Sequence, residues 1–175
     1  VYIPHGVDID FFKPNIELRS SKKILLVGQH MRDFSIFNKV IEVLLEQDSS
    51  IEVNVVIHEA YKKKVTVHKN IYIHSGVSDE QLRCFYQKSS VLFIPLTDVT
   101  ACNSVLEAMA SGLPVVSTDV GGNSDYFNNT KNILLKKNST VEKYSEAIHK
   151  IINDDLYLDI SNSSRNKALG YAWHI

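Results

Sequence analysis

Apolar residues along the chain fall into two alternating rhythms. Ile24-Leu-Leu-Val27 and Val91-Leu-Phe-Ile94 are unbroken apolar runs of strand length. Between them Phe34, Phe37, Val40, Ile41, Leu44 and Leu45 recur every three or four residues, which is one face of a helix. The alternation continues to the end. Strands are expected at Glu52–Ile57, Ile71–Ile73, Val115–Ser117 and, briefly, Ile133–Leu135. A helix is expected after Ser78, with Gln81 as its capping-box partner. Another should run from Asn103 to Ser111, where Gly112 and Pro114 stop it. Thr140 is expected to cap a helix through Lys150 with Val141, Tyr144, Ala147, Ile148, Ile151 and Ile152 on one face, and a last helix should span Leu156–Ala168.

Strands apolar on both faces and alternating with helices imply an α/β fold with a mostly parallel, doubly wound sheet. In such sheets ligands bind outside the carboxyl ends of the strands. The loops that matter then follow Val27, Ile57, Ile73, Ile94 and Thr118. Composition narrows the classes further. With 175 residues the chain is long enough for one self-sufficient core. Hydrophobic residues make up 44% and charged residues 22%, which excludes disorder and a disulfide scaffold. No apolar run approaches the ~20 residues of a membrane span. The 19 Lys+Arg against 20 Asp+Glu leave a net charge of -1, so nothing draws the chain toward nucleic acid. Two cysteines without a CxxC fit a reducing compartment, and cytoplasmic residence is expected. The basic run Lys62-Lys63-Lys64 reads as a solvated helix or turn.

The candidate chemistry lies between Pro95 and Gly122. A strand ends at Pro95, a polar loop follows, and a helix begins near Asn103. Free N–H groups and the positive dipole end there suit a phosphate or diphosphate. Glu107, one turn inside, shares the face of Asn103 and suits two sugar hydroxyls better than a phosphate. The pair fits a ligand carrying both diphosphate and ribose. Gly121-Gly122 permits a tight turn and close ligand approach. Cys102 reads as a small buried hydrophobe, Asp125 as a helix-start residue and His5 as a packing residue. The seven His show no metal spacing; His30 and His74 sit at strand ends where a ligand is in reach.

Leu106-Glu-Ala-Met-Ala-Ser-Gly-Leu-Pro-Val-Val-Ser-Thr-Asp-Val-Gly-Gly122 resembles the donor-binding signature of family 4 glycosyltransferases of GT-B fold, the glycosyl transferases group 1. Ile3-Pro-His-Gly-Val-Asp8, with Phe12 and Pro14, resembles that family's inter-domain crossover. Phe93-Ile-Pro95 is similar to the strand before the donor loop, and Gly76-Val-Ser-Asp-Glu-Gln-Leu82 with Tyr86 to a further family segment. The resemblance implies a Rossmann-like domain, the C-terminal half of a GT-B fold, with residues 1–14 as crossover and 15–175 as the nucleotide-sugar-binding domain. Glu107 then holds the donor ribose. Asn103, Ser104 and Val105 offer backbone N–H groups to the diphosphate, Gly28 lies beneath the phosphates, and the segment Ile73–Gly76, His74 included, walls the base. The sequence departs from the family at Val99, where a first Glu is expected; Asp98 or Asn103 can stand in. Gln29 and Phe34 replace an expected Arg and Lys, leaving Arg32 as the nearby cation.

The same resemblance implies a retaining glycosyltransferase of polysaccharide or glycoconjugate biosynthesis. It takes a nucleotide-sugar donor and needs no metal or other cofactor. Its glycan or lipid-linked acceptor is held by an N-terminal domain outside this chain, where peripheral membrane contact at the inner face is also expected. Catalytic residues are unassigned, and the isolated chain is expected to be inactive. Val1 in place of Met and the blunt end at Ile175 fit a piece of a longer protein. Three rivals stand beside this reading. Val99 favours a degenerate, non-catalytic binding module. A nucleotide-sugar epimerase fits the crossover and signature less well. An NAD-binding domain would need GxGxxG, where Gly28-Gln-His-Met-Arg-Asp33 has one glycine.

Overall fold

The computed structural model describes residues 5–153 and 157–173. Ile3 and Pro4 of the expected crossover, Leu156 of the last expected helix, and His174 lie outside the described residues. Six parallel strands form one sheet in the order β3-β2-β1-β4-β5-β6. They are β1 Lys23–Val27, β2 Glu52–Val56, β3 Ile71–His74, β4 Val91–Ile94, β5 Val115–Asp119 and β6 Ile133–Lys136. The central β1, β4 and β5 are buried on both faces but for their end residues, which is why β1 and β4 read as unbroken apolar runs; β5 buries Ser117 and Thr118 as well. The edge strands β3 and β6 are half-buried and carry the weaker patterns.

The helices are α1 Phe34–Gln47, α2 Asp79–Lys88, α3 Asn103–Ala110, α4 Asn123–Phe127, α5 Val141–Ile152 and α6 Tyr157–Leu169. Helix α1 buries the six residues its periodicity singled out, and the Asp33 carboxylate accepts from Ile36 N at its start. Each such side chain gains about 1.5–3 kcal/mol from leaving water, set against the entropy of ordering it. Helix α1 packs on α5; between them the Phe93 ring stacks on Phe37 and tilts on Tyr144. Strand β1 leads left to β2 while β3 and β4 lead right, so right-handed crossovers put α2 and α3 on the opposite face. Helix α6 packs there against α3.

One local expectation changes. Thr140 stands at the N-cap of α5 but makes no cap bond. The connection from β2 to β3 is a short 3-10 helix, Glu59–Lys64, holding the basic run, in which Lys62 pairs with Glu59. Short α4 was not expected as an element, although Asp125 does lie in its first turn.

Residues 5–14 are sewn to the α6 side of the domain. Val7 N donates to Tyr171 O at 2.9 Å, and Trp173 N donates to Val7 O at 3.2 Å. Arg165 Nη1 donates to the carbonyls of Ile9, Phe12 and Ala110 at 3.1, 2.9 and 2.7 Å. The Trp173 ring lies so close over Gly6 that a Cβ there would fall 1.5 Å from ring carbon Cδ1.

Candidate functional site

Strand order reverses between β1 and β4, so the loops leaving these two strands diverge and leave a crevice. Here the loops are tied together at their bases. Asp33 N donates to Pro95 O, and Thr97 N to Met31 O, both at 2.9 Å. The turn after β5 closes on the same place: Gly122 N donates to Val99 O at 3.2 Å. Gly121 adopts φ +51°, and a Cβ on it would sit 1.9 Å from Val99 O. The tight turn expected of Gly121-Gly122 is present, and what comes close to Gly121 in this structure is the chain's own loop.

Gly28 ends β1 with φ +80°, under the Arg32 side chain. Arg32 folds back over the crevice. Its Nε and Nη2 donate to Val27 O at 3.1 and 3.0 Å, Nη1 to His30 O at 2.8 Å, and Nη2 to Ser104 Oγ at 3.3 Å. All these acceptors are neutral. Among the described residues no carboxylate pairs with Arg32. Its charge stands uncompensated at the N-terminus of α3, where the helix dipole adds to it. Asn103 N and Ser104 N donate to no acceptor among the described residues. Val105 differs from expectation: its N–H, like that of Leu106, is taken by Cys102 O, so it offers nothing to a ligand. The cause is a tightened first turn, in which one carbonyl satisfies two donors.

Two clefts flank Asn103. One, of about 220 Å³, is lined by His5, His30, Arg32, Thr100 and Cys102 among others. The other, of about 330 Å³, is lined by Asp8, Phe12, Asp79, Glu107 and Trp173 among others. Asn103 borders both, and its Oδ1 is 2.9 Å from His5 Nδ1. The structure thus brings together Arg32, Asn103, Ser104 and Glu107 along one line. Cys102 is buried, 3% exposed, as a small apolar residue.

Glu107 is mostly buried. Desolvation pushes its carboxyl above the ordinary range, with Asp79 adding to the rise and a hydrogen bond from Tyr86 opposing it. The Tyr86 hydroxyl donates to Glu107 Oε2 at 2.8 Å. Sequence reasoning named Tyr86 only through its spacing in a motif; the contact with Glu107 spans two helices and leaves no local signal.

Other expected residues are placed elsewhere. His74 lines neither cleft: its Nε2 is 2.9 Å from Asn54 Oδ1 and its ring lies 4.5 Å from Phe85. Burial lowers its pKa. The Val99 side chain is buried, and exposed Asp98 turns Oδ1 back to Val99 N at 2.8 Å. Neither Asp98 nor Gly122 lines the clefts. Among the described residues no group of three or more His, Cys, Asp or Glu could hold a metal ion, and no helix is long and apolar enough to cross a membrane.

Known proteins share these features of fold and sequence. The family model for glycosyl transferases group 1 matches residues 18–168. A 2-deoxystreptamine N-acetyl-D-glucosaminyltransferase of Niallia circulans is 23% identical over 164 residues, covering 88% of this chain and 42% of that protein. The C-terminal domain of a glycosyl transferase group 1 family protein (LpcC) from Francisella tularensis superposes with a TM-score of 0.79 at 16% identity, over 97% of this chain and 100% of that one. A mutant of S. aureus TarM, in complex with fondaparinux, alpha-GlcNAc-glycerol and UDP, superposes with a TM-score of 0.73 at 18% identity, over 89% of this chain and 34% of that one. The chain thus spans about two fifths of the curated relative's length, and its fold is that of a GT-B C-terminal domain. With residues 18–168 matched, this chain belongs to the glycosyl transferases group 1 family.

Proposed function

We propose that this chain binds the nucleoside diphosphate of a nucleotide-sugar donor and is the donor-binding half of a retaining glycosyltransferase. One observation carries the reading: a guanidinium with no carboxylate partner among the described residues lines the cleft on one side of Asn103, beside the α3 N-terminus whose Asn103 and Ser104 N–H groups meet no described acceptor, and a fixed, buried carboxylate lines the cleft on the other. The first set suits a diphosphate. The second suits a ribose diol, whose hydroxyls donate to a carboxylate. The UDP in the TarM complex and the sugar transfer in the Niallia circulans protein's name lend support.

In this reading residues 1–14 lead from an acceptor-binding domain, and the whole enzyme moves a sugar to a glycan or lipid-linked acceptor in polysaccharide or glycoconjugate synthesis. Charge on the departing diphosphate falls on Arg32 and the α3 N-terminus, so the reading calls for no metal. Titration of UDP- and GDP-sugars into the chain by calorimetry tests it. Saturable binding is expected, with at least about tenfold loss in Glu107→Ala. No binding at millimolar donor would overturn the reading.

A second reading, a degenerate binding module, is favoured by the buried Val99 side chain and by Asp98 Oδ1 accepting from the adjacent Val99 N. It predicts no binding at millimolar donor.

A further inference from the structure

The Tyr86 hydroxyl is buried at the junction of α2 and α3. Tyr86 itself is 1% exposed, and its ring packs edge-on against Phe12 at 5.8 Å. Burial, foremost, and the adjacent carboxylate keep the phenol protonated, so it donates to Glu107 Oε2. Ser104 lies close by, and its Oγ accepts from Arg32 Nη2 at 3.3 Å.

The phenol bond occupies one Glu107 oxygen. Oε1 accepts from no described residue, and with Oε2 tied to the buried phenol it is the oxygen left for the cleft. The other charged groups around this cleft are Asp79 at the start of α2 and Asp8 from the residues 5–14 segment. Neither can donate to Glu107 when ionised, which leaves the phenol as the donor from α2.

We propose that Tyr86 is a positioning residue that fixes which Glu107 oxygen faces the donor ribose. The proposal rests on the donor-binding function proposed for this chain. It makes Tyr86 a determinant of ribose recognition although it need not touch the sugar.

Tyr86→Phe keeps the ring and removes the hydroxyl. Two measurements on the 175-residue chain test the consequence. The first follows the Glu107 carboxyl carbon by NMR through a pH titration, with no nucleotide present. Losing the phenol bond should move its midpoint upward. The second compares affinities for UDP and 2′-deoxy-UDP, and for GDP and 2′-deoxy-GDP. The unaltered chain should prefer the ribonucleotide. Tyr86→Phe should cut that preference by about threefold or more, leave the deoxy affinity nearly unchanged, and shift the fall of ribonucleotide binding in acid to higher pH.

An unmoved Glu107 midpoint together with an unmoved preference would mean that Tyr86 only fills the core, and would overturn the proposal. Equal losses for ribo- and deoxynucleotides would overturn it too, since they signal general loosening. If the unaltered chain binds neither UDP nor GDP, the donor reading fails, and the Glu107 midpoint alone decides whether Tyr86 governs that carboxylate.

Discussion

Glu107 sits where an isolated stability optimum would not put a carboxylate. Its carboxyl group is mostly desolvated, with one phenol bond as partial compensation. Desolvation raises its native pKa above the unfolded value. Between those two values the native state holds a proton that the unfolded chain has released. Stability therefore falls as pH rises through that window, and the penalty persists above it. Glu107→Gln keeps an acceptor for Tyr86 and removes the charge. It should raise the urea midpoint at pH 7, with the gain vanishing below the ordinary glutamate range, while donor binding is lost. Unfolding curves at pH 7 and pH 3.5 check this; a neutral-pH midpoint at or below that of the unaltered chain contradicts it. Glu107 was legible in the sequence because a carboxylate four residues after a polar helix start suggests a ribose site. Tyr86 and the side-chain role of Ser104 were not, since their partners are set by packing between helices. Asp98 and His74 stood at the right loops, but backbone and neighbouring side chains claim them.

At the scale of elements, α2 shows local sequence and tertiary structure in agreement. Ser78 Oγ accepts from Gln81 N at 3.3 Å, and Gln81 Oε1 accepts from Ser78 N at 2.9 Å, a complete capping box. Ser78→Ala should cost about 1 kcal/mol in urea unfolding. Because the box sets the start of α2, which carries Asp79 and Tyr86, the same change should also weaken UDP binding slightly; thermal and calorimetric titrations report both. Thr140 shows the limit of such reading. It has the right residue type and extended backbone for a cap, yet its side chain makes no cap bond. The strands were legible in order and nearly in extent, because strands buried on both faces are mostly apolar; the buried Ser117 and Thr118 of β5 are hydrogen-bonded. Short α4 lacks enough turns to print a period on the sequence.

At the scale of the molecule, one point joins three loops. The turns after β1, β4 and β5 meet at the sheet's reversal, held by backbone bonds and by the contact of Gly121 with Val99 O. Gly121→Ala must leave its left-handed conformation or displace the β4–α3 loop. It should cost about 1–3 kcal/mol. It should also weaken nucleotide binding, because that loop carries Cys102 to the first turn of α3. A denaturation midpoint equal to that of the unaltered chain would show that the loop yields freely. By itself the sequence determined the order of the strands and longer helices and the mostly parallel doubly wound sheet. Apolar period and helix-stop residues are local properties, and they survive without knowledge of partners. Only the tertiary structure decided which polar groups face one another. It turned Arg32 onto neutral carbonyls and Ser104, consumed the Val105 N–H, filled the space at Gly121 with Val99 O, and set the Tyr86 hydroxyl on Glu107. Those contacts join residues far apart in sequence. Their geometry is set by how helices and loops pack across the sheet, which no short stretch of sequence contains.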